Sequence, residues 1–163
     1  MKTSAGVLVF RMRDGVLQVL LGHMGGPYWA RKDDGAWSIR KGELAEGEDP
    51  MAGARREYTE ELGLAPPEGP AIELGEIRQR AGKRLVAFAV EGDFDVARLD
   101  PGTFEMEWPP RSGRRQSFPE IDRVEWFDLA TAKGKLVGGQ SALLDRLAAV
   151  HASEEPPPAS RPL

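Results

Sequence analysis

The segment from Asp49 to Gly63 carries its own start and stop signals for a helix, and it constrains the fold more than any other part of the sequence. Asp49 can accept backbone N–H bonds as an N-cap, and Pro50 suits the first helical turn. Gly63 is a natural C-terminal stop. Between these signals, apolar residues recur at helical spacing, namely Met51, Ala54, Tyr58 and Leu62. The pattern predicts an amphipathic helix over residues 50–62.

Three glutamates share one side of this predicted helix. Glu57, Glu60 and Glu61 occupy an arc of about 100°, directly beside the apolar stripe. Like charges at these spacings repel each other, and a hard cation between them would remove the repulsion. Gly53 lies one turn earlier on the same arc, where its missing side chain leaves room for a loop or a phosphate. The alternative is an acidic helix face in contact with solvent.

The rest of the chain alternates between short apolar runs and loop signals. The predicted strands cover residues 5–10, 17–21, 37–39, 71–78, 84–90, 103–108 and 124–127. A second helix is predicted at about 139–150. The sequence therefore predicts an α/β fold, with one domain over residues 1–150. The last segment, 151–163, is rich in proline and is expected to be disordered.

Composition excludes several functional classes. The chain has 163 residues and no cysteine, which rules out disulfides, thiolate nucleophiles and cysteine zinc sites. A net charge of −4 argues against broad binding to extended nucleic acid or to an anionic membrane. The first residues do not have the pattern of a signal peptide, and no apolar run is long enough to span a membrane. A cytoplasmic protein is expected.

Residues 42–64 resemble the signature of the Nudix hydrolase family. That signature is Gly, five residues, Glu, seven residues, Arg-Glu, an aliphatic residue, any residue, Glu-Glu, any residue, Gly and an aliphatic residue. The matching positions are Gly42, Glu48, Arg56, Glu57, Glu60, Glu61, Gly63 and Leu64. Tyr58 departs from the pattern, but it lies on the apolar stripe, so we expect a difference in packing. The resemblance implies a mixed β-sheet between helices, an α/β/α sandwich, and hydrolysis of a pyrophosphate bond.

The resemblance also implies a metal site. Glu57 and Glu61 would be the main ligands of Mg²⁺, for which Mn²⁺ can substitute, and Glu60 would be a further ligand or a base. The carbonyl oxygen of Gly42 would complete the ligand set.

Arg56 is the arginine of the signature in this resemblance, and it would orient a glutamate, with Glu48 as the expected partner. The alternative is an ordinary pair of Arg56 with Glu60, one helical turn away.

The residues just before the signature resemble a second motif. Trp37 to Gly42 is similar to the Trp-x-x-Pro-Lys-Gly segment of Nudix members that act on dinucleoside polyphosphates and related phosphorylated compounds. Arg40 stands where that segment has proline. Arg40 and Lys41 together place two cations where they suit a phosphate chain, and we predict both as substrate-binding residues. Trp37 is expected to be a core residue.

An additional carboxylate is expected near a late strand. Family members commonly take one from a position six residues before a tryptophan of that strand. Glu120 stands six residues before Trp126, so it is predicted as a further metal ligand or general base. Asp122 and Glu125 are alternatives.

Two loops are candidates for substrate recognition, at 22–36 and 108–120. The basic residues of the second loop either hold distal phosphates or contact solvent, namely Arg111, Arg114 and Arg115. In the first loop, Tyr28 and Trp29 either stack on a nucleobase or pin the loop to the core. His23 and His151 have no ligand-like spacing, and no role is assigned to them.

The predicted function is Mg²⁺-dependent hydrolysis of a phosphoanhydride bond in a small phosphorylated substrate, a nucleotide. Dinucleoside polyphosphates are favoured, followed by nucleoside triphosphates, including damaged ones, and then by ADP-ribose and other nucleotide sugars. Two non-enzymatic alternatives remain. One is a Nudix-like module that binds a nucleotide without hydrolysing it, and the other is an acidic protein-interaction domain.

Overall fold

The computed structural model describes residues 2–79 and 82–154. The strands of this part are β1 (Thr3–Arg13), β2 (Val16–Met24), β3 (Trp37–Ser38), β4 (Arg40–Glu43), β5 (Ala71–Arg78), β6 (Arg84–Glu91), β7 (Thr103–Glu107), β8 (Arg115–Pro119) and β9 (Ile121–Asp128). The helices are α1 (Pro50–Leu62), α2 (Leu129–Lys135) and α3 (Ser141–Glu154), with a 3-10 turn at Val96–Arg98. None of the described helices is both long and apolar enough to cross a membrane.

Seven strands form one mixed sheet. Its main path runs β3-β2-β1-β6-β5, with β4 attached to β1 and β9 attached to β2. β1 and β6 are parallel, whereas the other paired strands are antiparallel. β7 and β8 form a separate antiparallel hairpin. The predicted mixed sheet is confirmed.

Strand β1 shows why this sheet lies between two helical layers. Successive side chains of a strand point to opposite faces. Val7 and Val9 pack in one core cluster with Tyr58 of α1. Leu8 and Phe10 pack in a second cluster that also contains residues of α2 and α3. Both faces of the sheet are thus apolar and covered, which confirms the α/β/α sandwich.

Strands β3 and β4 form a wedge between β1 and β2. The hairpin pairs residues 10–13 of β1 with residues 16–19 of β2. Further along, residues 4–7 of β1 pair with β4, and residues 22–23 of β2 pair with β3. One edge of β1 is paired with β6. On the opposite edge, β2 pairs with the end of β1, and β4 pairs with its beginning. The two hairpin strands are therefore separated at this end of the sheet.

Helix α1 has the bounds and the caps that the sequence predicts. The Asp49 side chain accepts a hydrogen bond from the backbone N–H of Ala52 at 3.1 Å. Gly63 is in the left-handed region with φ 79°, and its N–H donates to the carbonyl oxygen of Thr59 at 2.8 Å. Both ends of the helix are thereby fixed, and so is the position of the glutamates along it.

Several elements differ from the prediction. Strands β4 and β8 and helix α2 were not predicted, and β1 and β2 are longer than their apolar runs. Helix α3 continues to Glu154, four residues beyond the predicted end of that helix at about 150. The physical reason is packing, because the His151 ring lies edge-on to Phe10 at a centroid distance of 6.1 Å. The rest of the predicted tail, 155–163, lies outside the described residues.

Asp49→Ala removes the N-cap of α1 and is expected to lower the free energy of unfolding by about 1 kcal/mol. Asp49→Asn retains a capping oxygen and serves as the control, with a loss well below that of alanine. Urea unfolding followed by circular dichroism measures both. Equal stabilities of the alanine variant and the wild type would show that the cap does not hold this end of the helix.

Candidate active site

A cleft of about 680 Å³ opens beside the β3–β4 wedge. Its lining includes four charged side chains from different parts of the chain besides Arg40, namely Lys41, Glu61, Lys83 and Glu120. Trp29 and Ile39 contribute apolar surface. A concave site with converging polar groups is the expected form of a small-molecule site.

Strand β4 and helix α1 approach each other very closely at two glycines. A Cβ atom on Gly42 would overlap the carboxyl group of Glu57. A Cβ atom on Gly53 would overlap Leu44 and would lie 3.1 Å from the carboxyl carbon of Glu48. Gly53 therefore admits a loop against the helix, which is one of the two occupants that the sequence left open. Gly42 keeps its backbone next to the first glutamate of the helix.

Arg56 links the loop before α1 to the acidic side of the helix. Its Nε and Nη2 donate to the two carboxylate oxygens of Glu48, both at 3.0 Å. Its Nη1 donates to Glu57 at 2.9 Å and, more weakly, to Glu60 at 3.4 Å. The Arg56 bonds and the Ala45 N–H lower the pKa of Glu48 to about 2. Both suggested partners of Arg56 are thus present, and Glu48 is the bidentate one.

Arg40 and Glu61 form an ion pair inside the protein. Nη1 of Arg40 donates to Oε2 of Glu61 at 2.8 Å, and the two side chains are only 4% and 12% exposed. Burial raises the pKa of the Glu61 carboxyl, and the Arg40 charge opposes that shift. Removing one partner of a buried pair leaves an uncompensated charge, at a typical cost of about 3–5 kcal/mol.

The guanidinium group of Arg40 lies in a space that two other strands leave free. Its Nη2 donates to the carbonyl oxygens of Ser38 at 2.6 Å and Gly22 at 3.4 Å. A Cβ atom on Gly22 would lie 2.7 Å from the centre of the guanidinium group. A Cβ atom on Gly6 would lie 2.7 Å from the Arg40 carbonyl oxygen. Arg40 thus lines the cleft, but the partners it has in this structure are protein groups.

The three helix glutamates differ in their surroundings. Glu61 lines the cleft, whereas the Glu57 carboxyl lies against Gly42 and its side chain is 17% exposed. Glu60 is 58% exposed. The charges of Glu57 and Glu60 still act on Glu120, whose pKa is raised by burial first and by these two carboxylates next. The structure therefore brings the predicted carboxylates into one electrostatic cluster.

Asp122 and Glu125 were the alternatives to Glu120 in the sequence, and both have other partners. Asp122 Oδ1 lies 2.8 Å from Nδ1 of His23, within hydrogen-bond distance, and Glu125 contacts Arg123 at 3.4 Å. Glu120 instead lines the cleft. Its geometry favours it over the rivals, and its role as a ligand or base stays a prediction.

His23 has a structural position that the sequence did not indicate. It is fully buried, and its Nε2 donates to the carbonyl oxygen of Lys32 at 2.6 Å. With its bond to Asp122, it ties the loop after β2 to the start of β9. These partners lie 9 and 99 residues away, so no local spacing could have revealed the link.

Lysines from two segments supply positive charge to the cleft. Lys41 was predicted as a substrate-binding residue, and Lys83 was missed because it stands just before β6 in a sequence without any motif. Burial lowers the pKa of Lys41, with the Glu61 charge opposing the shift and the Arg40 and Lys83 charges adding to it. Two lysines and two glutamates therefore share one cavity.

The aromatic and basic loop residues separate into two groups. Trp29 packs against the core and lines the cleft, so both of its suggested roles fit its position. Tyr28 is 58% exposed and packs edge-on against Trp108 of the β7–β8 hairpin at 5.2 Å. The predicted arginine cluster lies at the tip of that hairpin and in β8. Its members are exposed, and the described lining of the cleft does not include them.

A sequence profile of the NUDIX domain matches residues 2–147, nearly the whole chain. The chain belongs to the Nudix family. The match supports a pyrophosphohydrolase, as the signature predicted. No curated protein sequence matches the chain significantly.

Solved Nudix structures have the same fold. An Ap4A hydrolase of C. elegans, in a binary complex, has a TM-score of 0.65 at 18% identity, over 94% of this chain and 99% of that chain. The NUDIX domain of Shewanella oneidensis NrtR, complexed with ADP ribose, has a TM-score of 0.60 at 16% identity, over 91% and 87%. A MutT/nudix family protein from Listeria innocua has a TM-score of 0.60 at 16% identity, over 94% and 95%.

The donor atoms of this Nudix site suit a hard divalent ion in their chemistry. Carboxylate and carbonyl oxygens are the ligands that Mg²⁺ prefers, and the missing Cβ of Gly42 allows the Glu57 carboxyl to lie against the backbone of residue 42. Among the described residues, no three acidic, histidine or cysteine side chains are grouped closely enough to hold an ion. Glu57 and Glu61 contact Arg56 and Arg40 instead. If these glutamates bind an ion as predicted, each carboxylate must either contact the ion as well as its arginine or give up the arginine contact.

Gly42→Ala is expected to displace the Glu57 carboxyl, because the new methyl group would occupy its space. We expect Mn²⁺ binding, measured by EPR titration, to weaken at least about tenfold, the loss typical for a group that supports a metal ligand. Gly134→Ala is a matched control, since a Cβ atom there has no neighbour within 4 Å. Unchanged Mn²⁺ affinity in a folded Gly42→Ala protein would show that this contact does not organise the site.

Proposed function

We propose that this Nudix protein hydrolyses a phosphoanhydride bond in a nucleoside diphosphate-linked substrate, with Mg²⁺ as its cofactor. The observation that carries the proposal is the division of charge within one cleft. Glu61 and Glu120 offer oxygen atoms for a cation, while Lys41 and Lys83 offer positive charge for a phosphate chain. A polyphosphate with a bound cation matches both halves of this arrangement.

The metal would be held by oxygen atoms of helix α1 and its neighbours. The proposed ligands are the carboxylates of Glu57, Glu60, Glu61 and Glu120, together with the carbonyl oxygen of Gly42. When bound, the ion neutralises phosphate charge and lowers the pKa of a coordinated water. Arg56 supports this set, because its bonds to Glu48 and Glu57 restrict the carboxylate beside Gly42.

The reaction needs a base, and Glu120 and Glu60 are the two candidates. Of the two, Glu120 lines the cleft, and its raised pKa suits a proton acceptor. It would take a proton from water while the water oxygen bonds to one phosphorus atom. The bond from that phosphorus to the bridging oxygen then breaks, and the leaving phosphate or nucleotide takes the bridging oxygen with its electron pair.

Positive side chains would stabilise the charge that develops on the leaving group. Lys41 and Lys83 both line the cleft. Arg40 contributes its charge from its buried position beside Glu61. Fixed cations in a site that is partly closed to water act more strongly than they do in bulk solvent.

Dinucleoside polyphosphates are the preferred substrate class. The segment from Trp37 to Gly42 supports this choice, and so does the likeness of the fold to an Ap4A hydrolase. Trp29 in the cleft is available to stack on one base. Nucleoside triphosphates come next. The ADP ribose bound by the NrtR domain makes ADP-ribose and nucleotide sugars a further alternative. The remaining alternative is a non-catalytic module, which would bind a nucleotide without hydrolysing it.

A cytoplasmic location stays a prediction.

A substrate screen with Mg²⁺ tests the proposal. Dinucleoside polyphosphates, nucleoside triphosphates, ADP-ribose and nucleotide sugars are incubated with the protein, and phosphate, pyrophosphate and nucleoside monophosphate are quantified. Turnover is expected to stop when EDTA is added and to return with excess Mg²⁺ or Mn²⁺. Nucleotide binding without any product from the whole panel would favour the non-catalytic module instead.

Glu57→Gln and Glu61→Gln are each expected to lower kcat at saturating Mg²⁺ by at least about a hundredfold, a loss typical of removing an interaction with the developing charge. Glu46→Gln is the matched control, since Glu46 lies exposed in the loop before α1 and is assigned no role. The control should keep wild-type turnover. Near wild-type turnover of either helix variant would refute its assignment as a ligand.

A further inference from the structure

The Arg40–Glu61 pair is a feature of this chain that the Nudix signature does not explain. Arg40 stands outside the signature, and it is 3% exposed. Within the described part of the chain, Glu61 is the one carboxylate bonded to it, through Oε2 at 2.8 Å. Its Nε is buried without any hydrogen-bond partner. The guanidinium group therefore has its charge compensated by a single glutamate, while part of its donor capacity is unused.

The surrounding backbone holds this guanidinium group in place. The carbonyl oxygens of Ser38 and Gly22 accept from its Nη2, and the missing side chain of Gly22 provides the space. Strands β2 and β3 supply these groups, and both belong to the central sheet. An exposed arginine that pairs with a nearby carboxylate by chance would not also be enclosed by backbone carbonyl groups and the space beside a glycine. Arg40 is thus positioned to face Glu61 before any ligand arrives.

We infer that Arg40 is an internal counter-ion that competes with the divalent metal for Glu61 and so weakens the metal affinity of this site. The inference rests on the proposed function, because it takes Glu61 as a metal ligand. Arg40 is accordingly a positioning residue, which acts on the metal through Glu61.

Electrostatics and hydrogen bonding lead to the same expectation. A divalent ion at Glu61 would lie next to a positive group that cannot lose its proton at neutral pH. The single negative charge of Glu61 would then have to compensate two cations, so the ion is attracted less strongly than it would be by an unpaired carboxylate. In addition, Oε2 is engaged by Arg40, so the ion must either use the other oxygen or break a charge-assisted bond. Each route lowers the net affinity for the ion.

The test is a Mn²⁺ titration of the metal-free full-length protein, followed by EPR spectroscopy at fixed pH and ionic strength. Arg40→Met keeps a long apolar side chain and removes the charge, and it is expected to bind Mn²⁺ at least about tenfold more tightly than the wild type. Arg40→Lys retains a cationic group beside Glu61 and serves as the matched control. Because a buried ammonium loses its proton more readily than a guanidinium, its Mn²⁺ affinity is expected to lie between those of the wild type and Arg40→Met. Equal or weaker binding by a folded Arg40→Met protein would overturn the inference.

A double-mutant cycle with Glu61→Gln shows whether the effect acts through Glu61. When Arg40→Met is added to the Glu61→Gln variant, it is expected to change Mn²⁺ affinity by less than about threefold. In that background there is no carboxylate at position 61 for Arg40 and the ion to compete for. If the gain from Arg40→Met persists in the presence of Glu61→Gln, Arg40 repels the ion directly and does not compete for Glu61, and the inference is wrong.

Arg40→Met leaves Glu61 buried without its partner, so the variant is also examined by thermal melting with and without Mn²⁺. The inference predicts that Mn²⁺ replaces the lost guanidinium as the counter-charge. The rise in Tm on adding Mn²⁺ must therefore be larger for Arg40→Met than for the wild type, even if the metal-free variant is largely unfolded. A variant that stays unfolded in excess Mn²⁺, or that gains no more than the wild type, contradicts the inference.

Failure of this inference can be distinguished from failure of the proposed function. A wild-type protein that hydrolyses a substrate in the screen, together with an Arg40→Met variant of unchanged Mn²⁺ affinity, refutes the role of Arg40 alone. Conversely, tighter Mn²⁺ binding by Arg40→Met supports the role of Arg40 even if no substrate of the screen is hydrolysed.

Discussion

Strand β4 and helix α1 contact each other at a distance that only glycine allows, and the candidate site depends on this contact. Gly42 accepts the carboxyl group of Glu57 against its backbone, and Gly53 accepts Leu44 from the loop between the two elements. Arg40, two residues before Gly42 and on the same face of β4, bonds to Glu61 one helical turn beyond Glu57. The signature glycine and the signature glutamates are therefore two sides of one packed interface, which explains on physical grounds why they occur together.

This contact also explains how the cleft obtains two kinds of charge. Glycine at 42 lets the acidic side of α1 reach the sheet, while the β3–β4 wedge separates β1 from β2 and leaves an opening at that point. Lys41 follows Arg40 on β4 and lines the cleft together with Glu61. Glu120 immediately precedes β9, and β9 pairs with β2 on the far side of the opening. Acidic and basic groups meet because the hairpin strands separate.

The sequence predicted most accurately what local signals encode. The caps at Asp49 and Gly63 gave the bounds of α1, and β5 was predicted with its observed bounds, because each has clear turn signals on both sides. Strand β4 was missed because Arg40-Lys41-Gly42-Glu43 has no apolar alternation; it is held by pairing with β1. Strand β8 is polar and exposed, and its pairing with β7 forms it. The positions of Lys83 and His23 depend on contacts across the sheet, which no local pattern reports.

Arg40 illustrates why a role cannot be transferred from a motif by position alone. Beside Lys41, in a segment that resembles a phosphate-binding lead-in, it was predicted to meet the substrate. Its actual partners are set by Gly22, which is eighteen residues away in the sequence and directly beside it in the sheet. A side chain at Gly22 would exclude the guanidinium group from its space and turn Arg40 toward the open cleft. One missing Cβ atom on a neighbouring strand thus gives this arginine the space in which it pairs with Glu61, the proposed metal ligand.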